Sequence, residues 1–404
     1  MPDPKELSGW KEIAAHLDVS VRTAQAYEKN QRLPVHHLPG QKGRVFGNVE
    51  ELNTWRRAGV RRPSRRVFAI IAASVVALVA GVYFLVIPHG PPTGFRVEGR
   101  NLIVTNAKGR VLWTHPFEVP LQPSAYPPER LLSQTWLGDL DGDGRPELLF
   151  VEHPLNQADV GSKVLCFADN GKTKWSFTPG RPVRDRGSLM VLPYYTSHLQ
   201  VIIGKTSAET RVAVSSVHNL DQPCQVAFLD IHGKVVGEYW HPGHMYESRV
   251  VDLNHDGRKE LVLAGVNNGM HQATLVVLDP LKIVGLMTPK EMLDHRFEIM
   301  DMAAAKEESV VFFPRSCISR GQPFTRAHSL RVTNERVIVT VAEGYNEGYP
   351  GFDYQLDYGL NVVDIGPDSP NTRLAHQALE ARGEVDHPFS TECDRLKAAV
   401  IVRR

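Results

Sequence analysis

Two short acidic segments carry the residue types best suited to chemistry. Residues 139–147 read DLDGDGRPE and residues 252–260 read DLNHDGRKE. Oxygen-bearing side chains recur at alternate positions, so a tight turn can point them at one centre, and calcium takes about six to eight such ligands. The segments therefore predict two calcium sites. The expected ligands are Asp139, Asp141, Asp143, the Arg145 carbonyl and Glu147 in the first, and Asp252, Asn254, Asp256, the Arg258 carbonyl and Glu260 in the second.

The spacing within these segments excludes an EF-hand. That motif needs a glutamate at the last position of its loop and a helix on each side. Phe150 and Leu263 occupy that position, and an apolar run typical of a strand follows each segment. A plain acidic turn is the alternative, but the recurrence of one pattern favours metal binding. We expect the ions to brace structure, and the chain shows no Ser/His/Asp signature, phosphate-cradling glycine loop or haem motif, so an enzyme is not expected.

A second pattern repeats around the acidic segments. Apolar and aromatic runs alternate with Gly, Pro and Asn beyond residue 93, which is typical of short strands joined by turns. A strand, a Gly-Lys or Gly-Arg turn and a strand bearing an aromatic residue recur at 102–117, 163–177 and 226–240. A period of about 50 residues suits four-stranded blades. We therefore predict an all-β propeller of about five to seven blades over 101–404.

These repeats resemble the FG-GAP or VCBS-type repeats of integrin-like β-propellers, over most of residues 130–290. The resemblance implies the same propeller fold. On that fold, the ring would close through Ala398–Val402, paired with residues near Asn101, and residues 88–100 would be a linker.

The 21 residues from 67 to 87 contain no charged side chain. A helix rises about 1.5 Å per residue, so this segment would cover about 31 Å, close to the hydrocarbon thickness of a bilayer. Four arginines lie in the basic segment 59–66 just before it. Since such flanks stay in the cytoplasm, we predict a single-pass protein of a bacterial inner membrane, with a cytoplasmic N-terminus and a periplasmic body. A cleaved signal peptide and a buried helix are the less favoured alternatives.

The segment before this span is basic. Residues 1–66 hold 13 Lys and Arg against 7 Asp and Glu, whereas the whole chain has a formal charge of +1. The spacing of apolar residues predicts helices over Ser8–Leu17 and Val21–Asn30, separated by a turn at 18–20. A hairpin over 33–46 and a third helix capped by Asn48 follow.

This arrangement resembles the winged helix-turn-helix of MerR and excisionase-type proteins, in GWKEIAAHLDVSVRTAQAYEK and GRVFGNVEELNTW. The resemblance implies that residues 1–58 bind DNA, with the second helix in the major groove and the wing on the backbone. Ala26 departs from the family, where a larger side chain is common. One unit contacts few phosphates, so a homodimer is expected. On this resemblance Arg22, Thr23 and Gln25 would face the DNA, with Arg22 and Gln25 reading base edges, and Lys29, Lys42 and Arg44 would contact phosphates.

The chain has four cysteines, Cys166, Cys224, Cys317 and Cys393. They show no CxxC spacing, which excludes a zinc ribbon, and they are too few for a disulfide framework. A Cys317–Cys393 bridge and isolated buried thiols both remain open.

Together these features predict a multi-domain fold: a small α winged helix-turn-helix, one transmembrane helix and an all-β propeller. The favoured function is a membrane-anchored one-component transcriptional regulator whose propeller senses an extracytoplasmic ligand or partner. The alternative is an exported adhesion or scaffold propeller with a protein-binding head. A propeller enzyme acting outside the cytoplasm rests on analogy of fold alone.

Overall fold

A computed structural model describes most of the chain. The described residues are 5–38, 44–59, 70, 72–79, 90–126, 134–155, 161–185, 188–190, 193–218, 223–282, 284–286, 297–298, 309–344 and 348–404. The chain divides into two compact units, Met1–Ile87 and Pro88–Arg404.

The first unit is a mixed α/β unit with a three-stranded antiparallel sheet of order β1-β3-β2. Its core contains Ile13, Leu17, Leu33, Val45 and Leu52. Its elements in chain order are β1 (Glu6–Ser8), α1 (Trp10–Leu17), α2 (Val21–Gln31), β2 (His36–His37), β3 (Val45–Asn48) and α3 (Val49–Ala58).

The predicted small α winged helix-turn-helix is therefore wrong as a fold class, because a sheet forms part of the unit. Strand β1, which the sequence pattern did not predict, pairs with β3. Gly9 explains the error: its φ of 85° is incompatible with a helix that starts at Ser8, so α1 begins at Trp10. The Gly9 N–H instead donates to the Val45 carbonyl at 2.7 Å and joins the segment to the sheet.

The predicted transmembrane helix is a second correction. Among the described residues, none of the helices is both long enough and apolar enough to cross a membrane. Within 67–87 the described residues are Ile70 and 72–79, which are helical; the rest of that prediction lies outside the described residues, as do 60–66. The finding contradicts the predicted single-pass inner-membrane localisation, and the mostly β fold does not support the predicted DNA-binding helix-turn-helix.

The second unit is dominated by five successive sheets, antiparallel except for one added strand, which we number I to V along the chain. Sheet I contains β4 (Gly94–Glu98), β5 (Asn101–Thr105) and β6 (Val111–Pro116). Sheet II contains β7 (Thr135–Gly138), β8 (Glu147–Glu152), β9 (Lys163–Phe167) and β10 (Thr173–Phe177). Sheet III contains β13 (Tyr194–Ile202), β14 (Arg211–His218), β15 (Cys224–Leu229) and β16 (Val235–His241), with β20 (Val284–Leu286) added in parallel.

The remaining strands form sheets IV and V and one small sheet. Sheet IV contains β17 (Met245–Val251), β18 (Glu260–Asn267), β19 (Gln272–Leu278), β22 (Ser309–Phe312) and β27 (Ile401–Arg403). Sheet V contains β23 (Arg326–Val332), β24 (Val337–Ala342), β25 (Gly351–Leu356) and β26 (Val362–Pro367). The small sheet contains β11 (Val183–Asp185), β12 (Ser188–Met190) and β21 (Phe297–Glu298). Two helices, α4 (Pro370–Ala381) and α5 (Phe389–Ala399), lie between β26 and β27.

Each sheet packs against the next through its own hydrophobic core. On β8, Leu148 and Phe150 join the core shared with sheet I, while Leu149 and Val151 join the core shared with sheet III. Successive side chains of a strand point to opposite faces, so a strand buried on both faces needs an unbroken apolar run. This explains the continuous apolar segments of β8 and β18.

The strand-turn-strand repeats also connect neighbouring sheets. Trp113 Nε1 donates to the Asp169 carbonyl of the next turn at 2.9 Å, and Trp175 Nε1 donates to the Ile231 carbonyl of the turn after that at 2.9 Å. Each indole covers a turn glycine with positive φ, and a Cβ on Gly233 would lie 2.5 Å from the Trp175 ring. The glycines of the repeats are therefore required by close approach as well as by turn geometry.

Substitution Trp175→Phe should lower the free energy of unfolding by about 1 kcal/mol, because it leaves the Ile231 carbonyl without its indole donor while keeping most of the ring contact. Urea denaturation measures this loss, and Trp113→Phe is the matched test at the preceding sheet. An unchanged unfolding midpoint in both variants would contradict a structural role for these hydrogen bonds.

The predicted closure of the ring is wrong. Strand β27 pairs with β22 of sheet IV, with Val402 opposite Val311, and not with residues near Asn101. No strand pair among the described residues joins sheet V to sheet I. The prediction failed because the apolar pattern of β27 fits any open strand edge, whereas helices α4 and α5 bring it back to sheet IV.

The cysteines are free thiols. Cys166, Cys224 and Cys317 are buried and Cys393 is half-buried. Of the two possibilities left open by the sequence, the structure has the isolated thiols.

Candidate metal site

The two acidic segments form similar loops that share three backbone hydrogen bonds. Each connects the first two strands of its sheet, β7 to β8 in sheet II and β17 to β18 in sheet IV. The closing glutamate accepts from the backbone N–H of the second loop residue, Leu140 to Glu147 Oε2 and Leu253 to Glu260 Oε2, both at 2.9 Å. This bond fixes the glutamate, the first residue of its strand, over the turn.

The other bonds within the loops also correspond. The first aspartate accepts from the N–H of the loop glycine at 2.9 Å, Gly144 to Asp139 Oδ2 and Gly257 to Asp252 Oδ2. The aspartate at the third ligand position accepts a hydrogen bond from a backbone N–H two residues later. The Arg145 N–H donates to Asp143 Oδ1 and the Arg258 N–H to Asp256 Oδ1, both at 2.7 Å. The sequence repeat is thus a structural repeat.

In the first loop the structure brings three of the predicted ligands together. Ligand oxygens of Asp139, Asp141 and Glu147 all lie within 4.8 Å of one another, an arrangement that could hold a metal ion. Asp139 is exposed, Asp141 is half-buried and Glu147 is buried. Asp143, also predicted as a ligand, is exposed and is not part of this group. The carbonyl ligand roles of Arg145 and Arg258 stay predictions.

The second loop differs from the first at three positions: Lys259 replaces Pro146, and the other two changes alter the hydrogen bonding. Asn254 replaces Asp141, and its Nδ2 donates to Glu260 Oε1 at 3.3 Å. His255, with φ of 58°, replaces Gly142. Gly142 N–H donates to Asp139 Oδ1 at 2.7 Å, whereas the corresponding oxygen, Asp252 Oδ1, is buried and accepts no hydrogen bond from the described residues.

Lysine 174, on β10 of sheet II, lies against the first loop. Its Nζ donates to Asp141 Oδ2 at 2.6 Å and to Glu147 Oε1 at 3.0 Å. The bond from Lys174 is the main cause of a lowered pKa at Asp141. In the second loop, by contrast, burial and then the charges of Asp252 and Asp256 raise the pKa of Glu260, although the bond from Leu253 opposes them.

The residues predicted to contact DNA lie in the first unit, on α2 and beside β3. Arg22, Gln25 and Lys29 are exposed on α2, Arg44 is exposed and Thr23 is half-buried. Thr23 serves locally, since its N–H donates to the N-cap oxygen of Ser20 at 3.1 Å. Lys42 lies outside the described residues. The contacts of this set with DNA stay a prediction that nothing in the fold supports.

Three charged residues with notable contacts were not predicted from the sequence. Lys174 lies three positions after a turn glycine, where the other repeats have Leu112 and Val236, so an alignment of the repeats would have found it. Glu343 and Glu392 are fully buried in the second unit. They accept from consecutive backbone N–H groups, Ser316 to Glu343 at 3.1 Å and Cys317 to Glu392 at 2.7 Å.

Comparison with known proteins assigns no family. No family model matches the chain, and no curated protein does. Three solved structures align with TM-scores below 0.5, which carry no argument about fold or function. A protein of unknown function from Bacteroides caccae is 10% identical at TM-score 0.25, with 69% of this chain and 94% of that chain covered. BBS1N in complex with ARL6DN is 11% identical at 0.29, with coverage of 70% and 84%. The Pseudomonas aeruginosa PilY1 C-terminal domain is 8% identical at 0.31, with coverage of 66% and 78%.

Proposed function

We propose that the second unit is a calcium-binding scaffold, in which ions in the two acidic loops brace the connections between strands and the unit serves for binding, not catalysis. The observation that carries this proposal is the convergence of Asp139, Asp141 and Glu147 within 4.8 Å. The second loop supports it through a matching set of backbone bonds and the unpartnered oxygen of Asp252.

The donor set favours calcium over other metals. All the side-chain donors are carboxylate or amide oxygens, which suit hard cations rather than zinc or copper. Magnesium demands a near-ideal octahedron and gives up its waters reluctantly, whereas calcium accepts irregular sets of carboxylate and carbonyl oxygens. Exposed Asp139 beside buried Glu147 provides such an irregular set. A bound ion would neutralise carboxylates that the fold places side by side.

Calcium titration of the chelator-treated full chain by calorimetry tests this proposal. We expect saturable binding that the double variant Glu147→Gln with Glu260→Gln weakens at least 100-fold. Glutamine keeps an oxygen for the Leu140 and Leu253 N–H groups but removes the charge, so the variant should fold. Calcium at about 100 times its Kd should raise the stability of the wild type by about 2.7 kcal/mol.

Asp230→Asn is the matched control. Asp230 also caps a tight turn, accepting from the N–H groups of His232 and Lys234 at 2.9 Å, but it lies outside both acidic loops. The Asp230→Asn variant should bind calcium with the same affinity as the wild type. Absence of binding to the wild type, or equal binding by the double variant, would refute the proposal.

A further inference from the structure

The ammonium group of Lys174 contacts the oxygens that a metal ion in the first loop would use. It bridges Asp141 and Glu147, two of the three residues that converge there, and Glu147 is only 2% exposed. A divalent ion bound by the same oxygens must displace this ammonium, because two cations cannot share so small a space. Binding of the ion would then break the two charge-assisted hydrogen bonds of Lys174, and that cost weakens the affinity of the first loop for the ion.

Position 174 does not need a lysine for the fold. The equivalent positions of the other two repeats, three residues after Gly109 and Gly233, are the apolar Leu112 and Val236. Val236 is 42% exposed, so an apolar side chain is tolerated there even in contact with solvent. The strand-turn-strand pattern therefore does not explain the lysine at position 174, whereas the neighbouring acidic loop does.

The cations near the second loop have other contacts. Lys205 Nζ donates to the backbone carbonyl of Asp256 at 3.3 Å, not to a carboxylate. Arg258 NH2 pairs with Glu209 at 3.2 Å, a residue outside the loop. In place of a lysine, this loop has the buried and unpartnered Oδ1 of Asp252.

We propose that Lys174 is a built-in competitor for the metal ion, which makes 139–147 the weaker calcium site and 252–260 the tighter one. This inference rests on the proposed calcium binding and assigns it unequally to the two loops. The lysine neutralises the carboxylates of the first loop without metal, so only the second loop depends on calcium to neutralise its negative charge.

Calcium titration of full-length single-loop variants tests this inequality. In Glu260→Gln only the first loop is intact, and in Glu147→Gln only the second. We expect the second loop to bind calcium at least tenfold more tightly. Adding Lys174→Met to Glu260→Gln should tighten binding at the first loop by tenfold or more, whereas Lys174→Arg should leave it weak. Lys174→Met in the Glu147→Gln background should leave the second loop unchanged.

The outcomes separate the two proposals. If neither loop binds calcium in any background, the scaffold proposal and this inference both fail. If both loops bind equally and Lys174→Met changes neither affinity, only the inference is overturned. Should Lys174→Met fail to fold without metal, Lys174→Gln in the Glu260→Gln background replaces it, with the same tenfold gain expected and an unchanged affinity counting against the competitor role.

Discussion

Glu343→Gln should stabilise the protein against unfolding at high pH and have little effect at low pH. Burial raises the pKa of Glu343 from 4.5 to about 7; the bonds from Ser316 and Ser319 oppose the rise, and the nearby charge of Glu392 adds to it. Within the described part of the chain, no group donates a hydrogen bond to its buried Oε1. The folded protein therefore holds a proton that the unfolded chain has lost between these two pH values.

The sign of the effect follows from this proton. A raised carboxyl pKa gives stability that is present at low pH and is lost as pH rises from 4.5 to 7, because ionising the buried group is then required. The full penalty is about 3 kcal/mol, of which about 2 to 3 kcal/mol develops between pH 5 and pH 8. Glutamine has no charge to bury, so the free energy of unfolding of Glu343→Gln relative to the wild type should rise by that amount between pH 5 and pH 8.

Urea unfolding of the wild type and the variant at pH 5, 6, 7 and 8 measures this difference. The control is Glu335→Gln, at an exposed residue in the turn before β24. Its stability relative to the wild type should not depend on pH in this range. A constant difference between Glu343→Gln and the wild type across the range would show that Glu343 titrates normally.

The acidic loops illustrate what local sequence can predict. Their ligand types and spacing placed Asp139, Asp141 and Glu147 correctly in one cluster, because a tight turn is determined by residues that are close in the chain. Asp143, a further predicted ligand, lies outside this cluster, and its role as a ligand stays a prediction. Its Oδ1 accepts from the backbone N–H of Arg145, a local bond that short polar side chains often make.

The errors arose where distant segments decide the outcome. Strand β1 forms only because β3 lies beside it, 40 residues later, with Leu7 opposite Gly47. Strand β27 could have paired with any open edge and pairs with β22. Lys174 reaches its carboxylates from a different strand, with 27 residues separating it from Glu147. Periodicity carries no information about such pairings.

Glu392→Gln should lower the free energy of unfolding by about 2 to 3 kcal/mol at pH 7, because it removes the buried carboxylate charge that accepts charge-assisted hydrogen bonds. Glu392 is fully buried and lies on α5. It accepts from Arg395 NH2 at 2.6 Å and His387 Nε2 at 2.9 Å, besides the N–H of Cys317. Burial alone would raise its pKa, but these three bonds outweigh burial and lower it to about 2.

The pH dependence of this variant should be opposite to that of Glu343→Gln. A lowered carboxyl pKa gives stability that is present above pH 4.5 and is lost as pH falls toward 2, so the deficit of Glu392→Gln should shrink between pH 5 and pH 3. Denaturation at pH 7, 5 and 3, with exposed Glu380→Gln on α4 as control, measures it. A deficit equal at pH 7 and pH 3 would mean that the lost packing, and not the charge, is responsible. Glu343 and Glu392 accept from adjacent N–H groups of one turn, and the bonds from Arg395 and His387 to Glu392 contribute to the opposite slopes.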